Sequence, residues 1–291
     1  MASSLPDGLV LGPVVLTVTD IDRAVAFYTD VIGLRLARRD EDAASGAAVA
    51  VLGDGAEERV VLVEDQAAAP LRRGAGLYHV ALLYPSRAEL ARAAVRLAVS
   101  QTPIQGASDH GTHEAIYLAD PDGNGLELAA DRPRSEWPDV RSPAGYAGGP
   151  QPLDTQALLD VVAGEEPTRF ADPGVRVGHV HLHVGDIERG LAFYRDLLGF
   201  DEMVNLGSAA FVSAGGYHHH LGFNVWRTPS DAPVPDGVVG LREWTILLPD
   251  ASDVARVRAR LEDGGVAVED RAATGGFLAR DPWGIPVVVT S

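Results

Sequence analysis

The sequence predicts an α+β fold built from four βαβββ modules, and three observations support this prediction. A stretch that reads as a strand followed by a helix, at residues 12–33, recurs almost position for position at residues 178–199. Weaker copies begin near residues 77 and 242, and short β-rich segments follow the helices. Internal sequence repeats are stronger evidence for a fold than the helix or strand propensity of single segments. We therefore interpret the chain as repeats of one supersecondary unit.

The unit at residues 177–200 shows how strand and helix are joined. Apolar and polar residues alternate over residues 179–184, so the three histidines of this predicted strand share one face. Asp186 is placed to cap the following helix, and Gly199 to end it. Asp20 and Gly33 occupy the same positions in the first copy. The sequence therefore predicts a duplicated strand, cap, helix and terminating glycine.

The modules divide the chain into two halves joined by a linker. The predicted first pair spans residues 1–130, with modules near 9–65 and 76–130, and the second spans residues 175–291, with modules near 175–227 and 240–291. The linker, residues 131–174, is rich in proline, glycine and charge and contains one short predicted helix at residues 155–162. Such a composition predicts a segment that wraps the surface.

Composition excludes several classes of protein. No apolar run approaches the ~20 residues that span a bilayer, and residues 1–7 lack the features of a secretory signal. We therefore expect a cytoplasmic protein with a short disordered N-terminal lead and no membrane partner. The formal net charge of −17 disfavours a nucleic-acid partner. Since cysteine is absent from the sequence, any metal must be bound by histidine, aspartate or glutamate.

Strand geometry limits which histidines can share one ion. Same-face neighbours on a strand lie roughly 6.7 Å apart, whereas two donors held side by side at about 2.1 Å from one ion lie only ~3 Å apart. The strand with His179 can therefore supply one ligand. The same holds for His218 and His220, which are predicted to share a face while His219 points away. A site for one ion must be assembled across modules.

Repeat matching identifies the donors. His79 in the second module occupies the position of His179 in the third, and Glu127 on the last strand of module two is matched by His220. If modules three and four paired instead, His179, His220 and Glu243 would form an alternative set. We favour the pairing of modules two and three, because Glu127 ends a well-formed turn and strand, whereas Glu243 precedes Trp244 at a strand edge.

The sequence closely resembles the vicinal oxygen chelate superfamily and, within it, the extradiol dioxygenases of the catechol 2,3-dioxygenase kind. The resemblance covers nearly the whole chain and is carried by residues 108–127, 178–186, 192–199 and 217–226. It implies paired domains with curved mixed sheets around a metal cavity. It further implies that Fe(II), with Mn, Ni or Zn as alternatives, is held by His79, His179 and Glu127.

The same resemblance implies catalytic residues and substrates. An acid-base histidine is expected at His220 or His218, and a tyrosine that hydrogen-bonds the substrate at Tyr117. His110 is a further candidate in the pocket, whereas His113 receives no role. The implied substrates are an aromatic diol and O₂, and the product is a ring-opened semialdehyde acid.

Two other functions stay open from the sequence. A fourth ligand at His220 would resemble the glyoxalase I branch, in which a metal assists an isomerisation, and a bleomycin-resistance type would bind a ligand without catalysis. An aromatic pocket lining is expected from four residues, which are Phe211, Tyr217, Phe223 and Trp226. A homodimer is the default expectation for the oligomeric state, since it is the commonest arrangement.

Overall fold

The computed structural model describes residues 4–43, 45–70, 74–142, 149–227, 232–272 and 275–291. Four βαβββ modules follow one another in these ranges, as predicted. Module one contains β1 (Val10–Val18), α1 (Ile21–Phe27), β2 (Arg35–Glu41), β3 (Ala48–Gly53) and β4 (Glu58–Glu64). Module two contains β5 (Gly76–Leu83), α2 (Arg87–Val99), β6 (Ile104–Asp109), β7 (His113–Ala119) and β8 (Gly125–Asp131).

The linker and the second half supply the remaining elements. The linker contributes β9 (Gln151–Pro152) and α3 (Thr155–Leu159). Module three contains β10 (Arg176–His183), α4 (Ile187–Leu191), β11 (Asp201–Asn205), β12 (Ala209–Ser213) and β13 (Leu221–Asn224). Module four contains β14 (Gly240–Leu247), α5 (Ala251–Asp263), β15 (Val268–Arg271), β16 (Gly276–Arg280) and β17 (Pro286–Thr290).

The strands form two mixed sheets. Sheet I joins modules one and four in the order β15-β16-β17-β14-β1-β4-β3-β2. Sheet II joins modules two and three, with β9 at one edge, in the order β11-β12-β13-β10-β5-β8-β7-β6-β9. The favoured pairing of modules two and three is therefore the observed one. Each sheet takes one module from each half, so the sheets do not follow the boundaries of the halves. The division into residues 1–130, 131–174 and 175–291 stays a prediction.

The helices of modules one and three begin and end as the repeat predicts. The side chains of Asp20 and Asp186 each accept a hydrogen bond from the backbone N–H three residues on, at 2.9 and 2.8 Å. Both helices continue as π-helical turns before they end. Gly33 and Gly199 follow with φ of 91° and 96°, a left-handed conformation that costs glycine little.

Within each half, a buried tyrosine of the first module contacts an aspartate in a turn of the second. The Tyr28 hydroxyl lies 3.2 Å from Asp120 Oδ2, and the Tyr194 hydroxyl donates to Asp281 Oδ2 at 2.8 Å. Burial raises the pKa of Asp281 to about 6, although backbone N–H donors oppose it. The Asp120 turn is thus a structural contact between modules one and two.

Much of the linker belongs to the fold rather than to an outer wrapping. Its strand β9 pairs with β6, and Leu153 and Leu158 are buried. The predicted helix is found as α3 followed by a 3₁₀ turn at Asp160–Val162.

The N-terminal lead is partly ordered, contrary to expectation. Residues 1–3 lie outside the described ranges, but Leu5 is buried and its N–H donates to the Gly199 carbonyl at 2.8 Å. Burial of a leucine against the fold explains why this segment is held. In the described part of the chain, no helix is long and apolar enough to cross a membrane.

Candidate metal centre and cavity

Three central strands of sheet II place the predicted donors together. β10 pairs antiparallel with β5, and β5 pairs in parallel with β8. The valine and leucine side chains of β10 join the core, while His179, His181 and His183 are buried on the opposite face. His79 on β5 and Glu127 on β8 reach the same region as His179. The sheet thus assembles donors that lie far apart in the sequence.

The three donor atoms are spaced as one ion requires. His79 Nε2 lies 3.3 Å from His179 Nε2, and Glu127 Oε2 lies 3.0 Å from the first nitrogen and 3.1 Å from the second. Donors bound side by side at about 2.1 Å from a metal are separated by ~3 Å. Two imidazoles and a carboxylate suit iron, manganese, nickel and zinc. The residues present therefore fit a metal ion.

His113 is a residue of this centre that the sequence reasoning missed. Its Nε2 lies 3.0 Å from Glu127 Oε1, the oxygen that does not face the other two histidines. Its ring stacks between His110 at 4.5 Å and His218 at 4.7 Å. A signal was available, because His113 lies on β7 at an even spacing from Tyr117 and so shares its face.

Electrostatics favour an ionised Glu127 carboxylate and a neutral His179 imidazole. Burial alone would raise the pKa of Glu127, but the adjacent His179 and hydrogen bonds from three histidines hold it well below its usual range. Burial lowers the pKa of His179, although Glu127 opposes this shift. A neutral imidazole and an ionised carboxylate are the forms that bind metals.

The centre opens into a cavity of about 340 Å³. Sequence-predicted residues lining it are His79, His110, Tyr117, Glu127, His179, Phe211 and Trp226. The Tyr117 hydroxyl lies 2.7 Å from His110 Nε2. Burial and the neighbouring His113 lower the pKa of His110 to about 4, while burial and Glu127 raise the pKa of Tyr117. Both side chains are therefore uncharged at neutral pH.

The histidine run before β13 is arranged differently from the prediction. His219, expected to point away, lines the cavity, and its ring centroid lies 4.1 Å from that of His179. His220 is not a lining residue, because its Nδ1 is bonded to Ser213 Oγ at 2.9 Å and accepts from the Ala214 N–H at 3.3 Å. β13 begins only at Leu221, so strand alternation does not govern these residues.

His218 lies behind the cavity wall. It stacks on His113, its Nδ1 lies 2.9 Å from His219 Nδ1, and its Nε2 lies 3.2 Å from Asp131 Oδ1. It is not among the residues lining the cavity. The structure therefore brings His218 close to the centre but not to its open space.

Two of the four aromatic residues expected in the cavity lie elsewhere. Phe223 is fully buried and packs on Tyr194, with ring centroids 5.3 Å apart. Tyr217 donates to Asp131 at 3.1 Å and stacks on His218. Phe223 is on the core side of β13, and Tyr217 precedes that strand, so neither faces the cavity.

The alternative donor set is not assembled. Glu243 lies on β14 of sheet I, where its Oε2 accepts from Arg271 at 2.7 Å. Among the described residues, the group able to hold an ion consists of His79, Glu127 and His179.

A family model of the glyoxalase/bleomycin resistance protein/dioxygenase superfamily matches residues 10–128 and 176–289. The chain belongs to this superfamily. The catechol-2,3-dioxygenase of Bacillus subtilis (strain 168) is 37% identical over 284 residues, which is 96% of each protein. The lactoylglutathione lyase of Escherichia coli O157:H7 is 28% identical over 120 residues, 40% of this chain and 89% of that enzyme.

Solved structures of this superfamily share the fold. Glyoxalase I from Zea mays has a TM-score of 0.60 at 19% identity, covering 97% of this chain and 92% of that one. A Bacillus subtilis protein assigned as a dioxygenase has a TM-score of 0.70 at 14% identity, covering 99% of this chain and 86% of that one. At these identities, the likeness extends to the fold alone.

Proposed function

We propose that this chain is an Fe(II)-dependent extradiol dioxygenase that cleaves the ring of a catechol-like aromatic diol with O₂. The observation that carries the proposal is the spacing of 3.0 to 3.3 Å among the donor atoms of His79, His179 and Glu127. At the level of reaction class, the chain is an oxidoreductase of the catechol 2,3-dioxygenase type. Its 37% identity to such an enzyme, over 96% of each protein, supports this assignment.

The protein side chains would hold and orient the metal. His79, His179 and Glu127 would be the ligands, and His113 would fix the orientation of Glu127 through its second oxygen. When bound, Fe(II) would supply open positions for the diol and O₂ and lower the pKa of a bound hydroxyl. Glu127 is 1% exposed, so its charge is satisfied by these neighbours rather than by water.

Two cavity histidines are placed to move protons. His110 and His219 both line the cavity, and burial lowers the pKa of each, to about 4 for His110 and well below the usual range for His219. A neutral imidazole can accept a proton from a diol hydroxyl at its free nitrogen and later return it. We assign His219 the acid-base role that the sequence placed at His220 or His218, since His219 is the member of this run that lines the cavity.

Tyr117 is placed to bind the substrate. Its raised pKa keeps the phenol protonated, and its hydroxyl lies beside His110 in the cavity. A protonated phenol can donate a hydrogen bond to an oxygen of the diol, so Tyr117 would orient the ring. His218, behind the wall and bonded to both His219 and Asp131, would hold the acid-base histidine in position.

The two alternative functions lack a comparable observation. A glyoxalase-like site with four ligands would need His220, which does not line the cavity and lies outside the group of described residues able to hold one ion. A protein that only binds a ligand has no need for two histidines and a glutamate within 3.3 Å of one another.

Metal analysis after anaerobic purification tests the proposal. Iron with O₂ uptake on addition of catechol, and with a yellow ring-opened product, is the expected result. Nickel or zinc with isomerisation of a hemithioacetal, and no O₂ uptake, would replace the proposal with the isomerase. Absence of bound metal after loading with each of these ions would leave the ligand-binding function.

A further inference from the structure

The cavity has two ends of different chemistry. The metal-site residues His79, His179 and Glu127 are buried at one end. The other lining residues include the apolar or aromatic Leu206, Phe211 and Trp226, and Tyr78, whose ring centroid lies 4.8 Å from that of His79. Trp226 is 55% exposed and Leu206 is 45% exposed, so this second end is the one that reaches solvent. A bound ring at the metal site would therefore leave the apolar end uncovered.

The apolar end is a continuous aromatic wall rather than a scatter of side chains. Tyr78 and Trp226 meet edge to face, with ring centroids 5.6 Å apart. Phe211 lies 5.6 Å from the ring of His181 and 4.9 Å from that of His219. Because the Trp226 ring also lies 5.7 Å from that of His181, the wall runs from the mouth to the acid-base histidine.

Trp226 is held at the mouth although much of its surface is exposed. Its indole N–H donates to Ser208 Oγ at 3.3 Å, and its backbone N–H donates to Asn224 Oδ1 at 3.1 Å. Together with the partly exposed Tyr78 that it contacts, Trp226 forms an exposed aromatic surface of the kind found at ligand-binding grooves.

At the apolar end, the described residues that line the cavity offer no cationic side chain to an acidic substituent. Neither lysine nor arginine is found among the described lining residues. A substrate carboxylate laid along the aromatic side chains would give up part of its hydration without gaining an ion pair, which is unfavourable. Arg227 follows Trp226, but it is exposed and is not a lining residue.

We propose that the enzyme selects catechols that carry an uncharged apolar or aromatic substituent, and that Trp226 and Phe211 determine this specificity. The inference rests on the proposed function, because it places the diol at the metal site and the substituent along the wall. A cavity of about 340 Å³ falls within the range of roughly 300–1,000 Å³ typical of sites for drug-sized ligands, larger than a single diol ring requires.

Two catechols of similar shape and different charge test the inference. We compare 4-isobutylcatechol with 3,4-dihydroxyphenylacetate, using O₂ uptake by the iron-loaded enzyme. The expected kcat/KM is at least about tenfold higher for the neutral compound, the order expected when an apolar group enters a matching pocket. Trp226→Ala is expected to lower kcat/KM for 4-isobutylcatechol about tenfold more than for catechol itself. Val99→Ala, on an exposed residue of α2, is the matched control.

Anaerobic calorimetry of the same ligands gives a readout independent of turnover. Tighter binding of 4-isobutylcatechol than of 3,4-dihydroxyphenylacetate, weakened by Phe211→Ala and by Trp226→Ala, supports the inference even if the wild type cleaves neither. Failure of cleavage with all diols would overturn the proposed function alone. A preference for the carboxylate compound, removed by Arg227→Gln, would overturn the inference while leaving the ring-cleavage function in place.

Discussion

Sheets I and II are built from the same modules, yet the candidate centre lies in one of them. All nine histidines of the sequence belong to modules two and three, so sheet I has none. Where sheet II places His79 and Glu127, the repeat places Pro13 and Val288 in the modules of sheet I. The shared architecture thus provides a frame, and the residue types at a few positions decide whether it can hold a metal.

One carboxylate in each sheet shows the same contrast in energetic terms. Glu127 is 1% exposed and its oxygens face three imidazoles. The side chain of Glu243 is 27% exposed and is paired with Arg271 near the surface. A buried carboxylate needs several close partners, whereas a surface ion pair contributes little. The two glutamates should therefore respond very differently to removal.

Glu127→Ala provides the largest expected effect in this comparison. It removes an anionic donor from a site with three donors, so bound iron should fall from about one ion per chain to almost none, and activity with it. Glu243→Ala should leave the iron content at the wild-type level. Iron is measured by plasma emission after anaerobic loading and gel filtration. The opposite pattern would transfer the centre to modules three and four.

Acidification should destabilise the chelator-treated protein because sheet II buries neutral histidines. Burial and the neighbouring His113 lower the pKa of His110 to about 4. Burial and Arg176 lower the pKa of His220 to about 3. In both histidines the pKa of the folded state lies below the ordinary histidine pKa of 6.5. The unfolded chain therefore binds more protons, and the free energy of unfolding falls as the pH drops below 6.5. Between pH 7.5 and 5 the loss is of the order of 2 kcal/mol per such histidine.

Urea unfolding at pH 7.5, 6 and 5 measures this loss, and module four supplies a control of opposite sign. Asp281 has a folded pKa of about 6, raised from 3.8 by burial. Its stabilising contribution is present below pH 3.8 and is lost as the pH rises through 6. Asp281→Asn should therefore make the fall with acid steeper. A stability independent of pH over this range would contradict the assignment of neutral buried imidazoles.

His113→Ala tests the support that sheet II gives to Glu127. The hydrogen bond to Glu127 Oε1 would be lost, and metal affinity should drop by about 10- to 100-fold, as for other residues that orient a ligand. His113→Gln retains a donor and should recover part of the affinity. Competition with a chelator of known affinity measures the change. Equal affinities for wild type and His113→Ala would show that Glu127 needs no such support.

The smallest expected effects concern the tyrosine contacts that the two halves share. Tyr28→Phe and Tyr194→Phe each remove a hydroxyl from a buried aspartate, and each should lower the free energy of unfolding by about 1–2 kcal/mol. The effect should be larger for Tyr194, whose hydrogen bond is shorter. Urea unfolding compares the two variants. A much larger loss of unfolding free energy for Tyr28→Phe than for Tyr194→Phe would mean that the contact contributes differently to the two halves.

The sequence determined the repeat, the caps and the limit of one metal ligand from the strand that carries His179. These features depend on local spacing: Asp20 and Asp186 cap helices wherever the helix lies, and His79 and His179 fall at matched positions of one module. The requirement that one strand supply one ligand follows from the distance between alternate residues of a strand. The amino-acid sequence encodes this information directly, because it concerns residues at short, fixed spacings within one module.

The tertiary structure decided the pairing of the modules and the placement of several other side chains around the cavity. His219 lines it and His220 does not, because an irregular turn precedes β13 and alternation fails there. His113 meets Glu127 across neighbouring strands, and Trp226 lies past the end of β13, where no pattern specifies its direction. These placements depend on register and on chain paths outside regular elements, which the order of the residues does not encode locally.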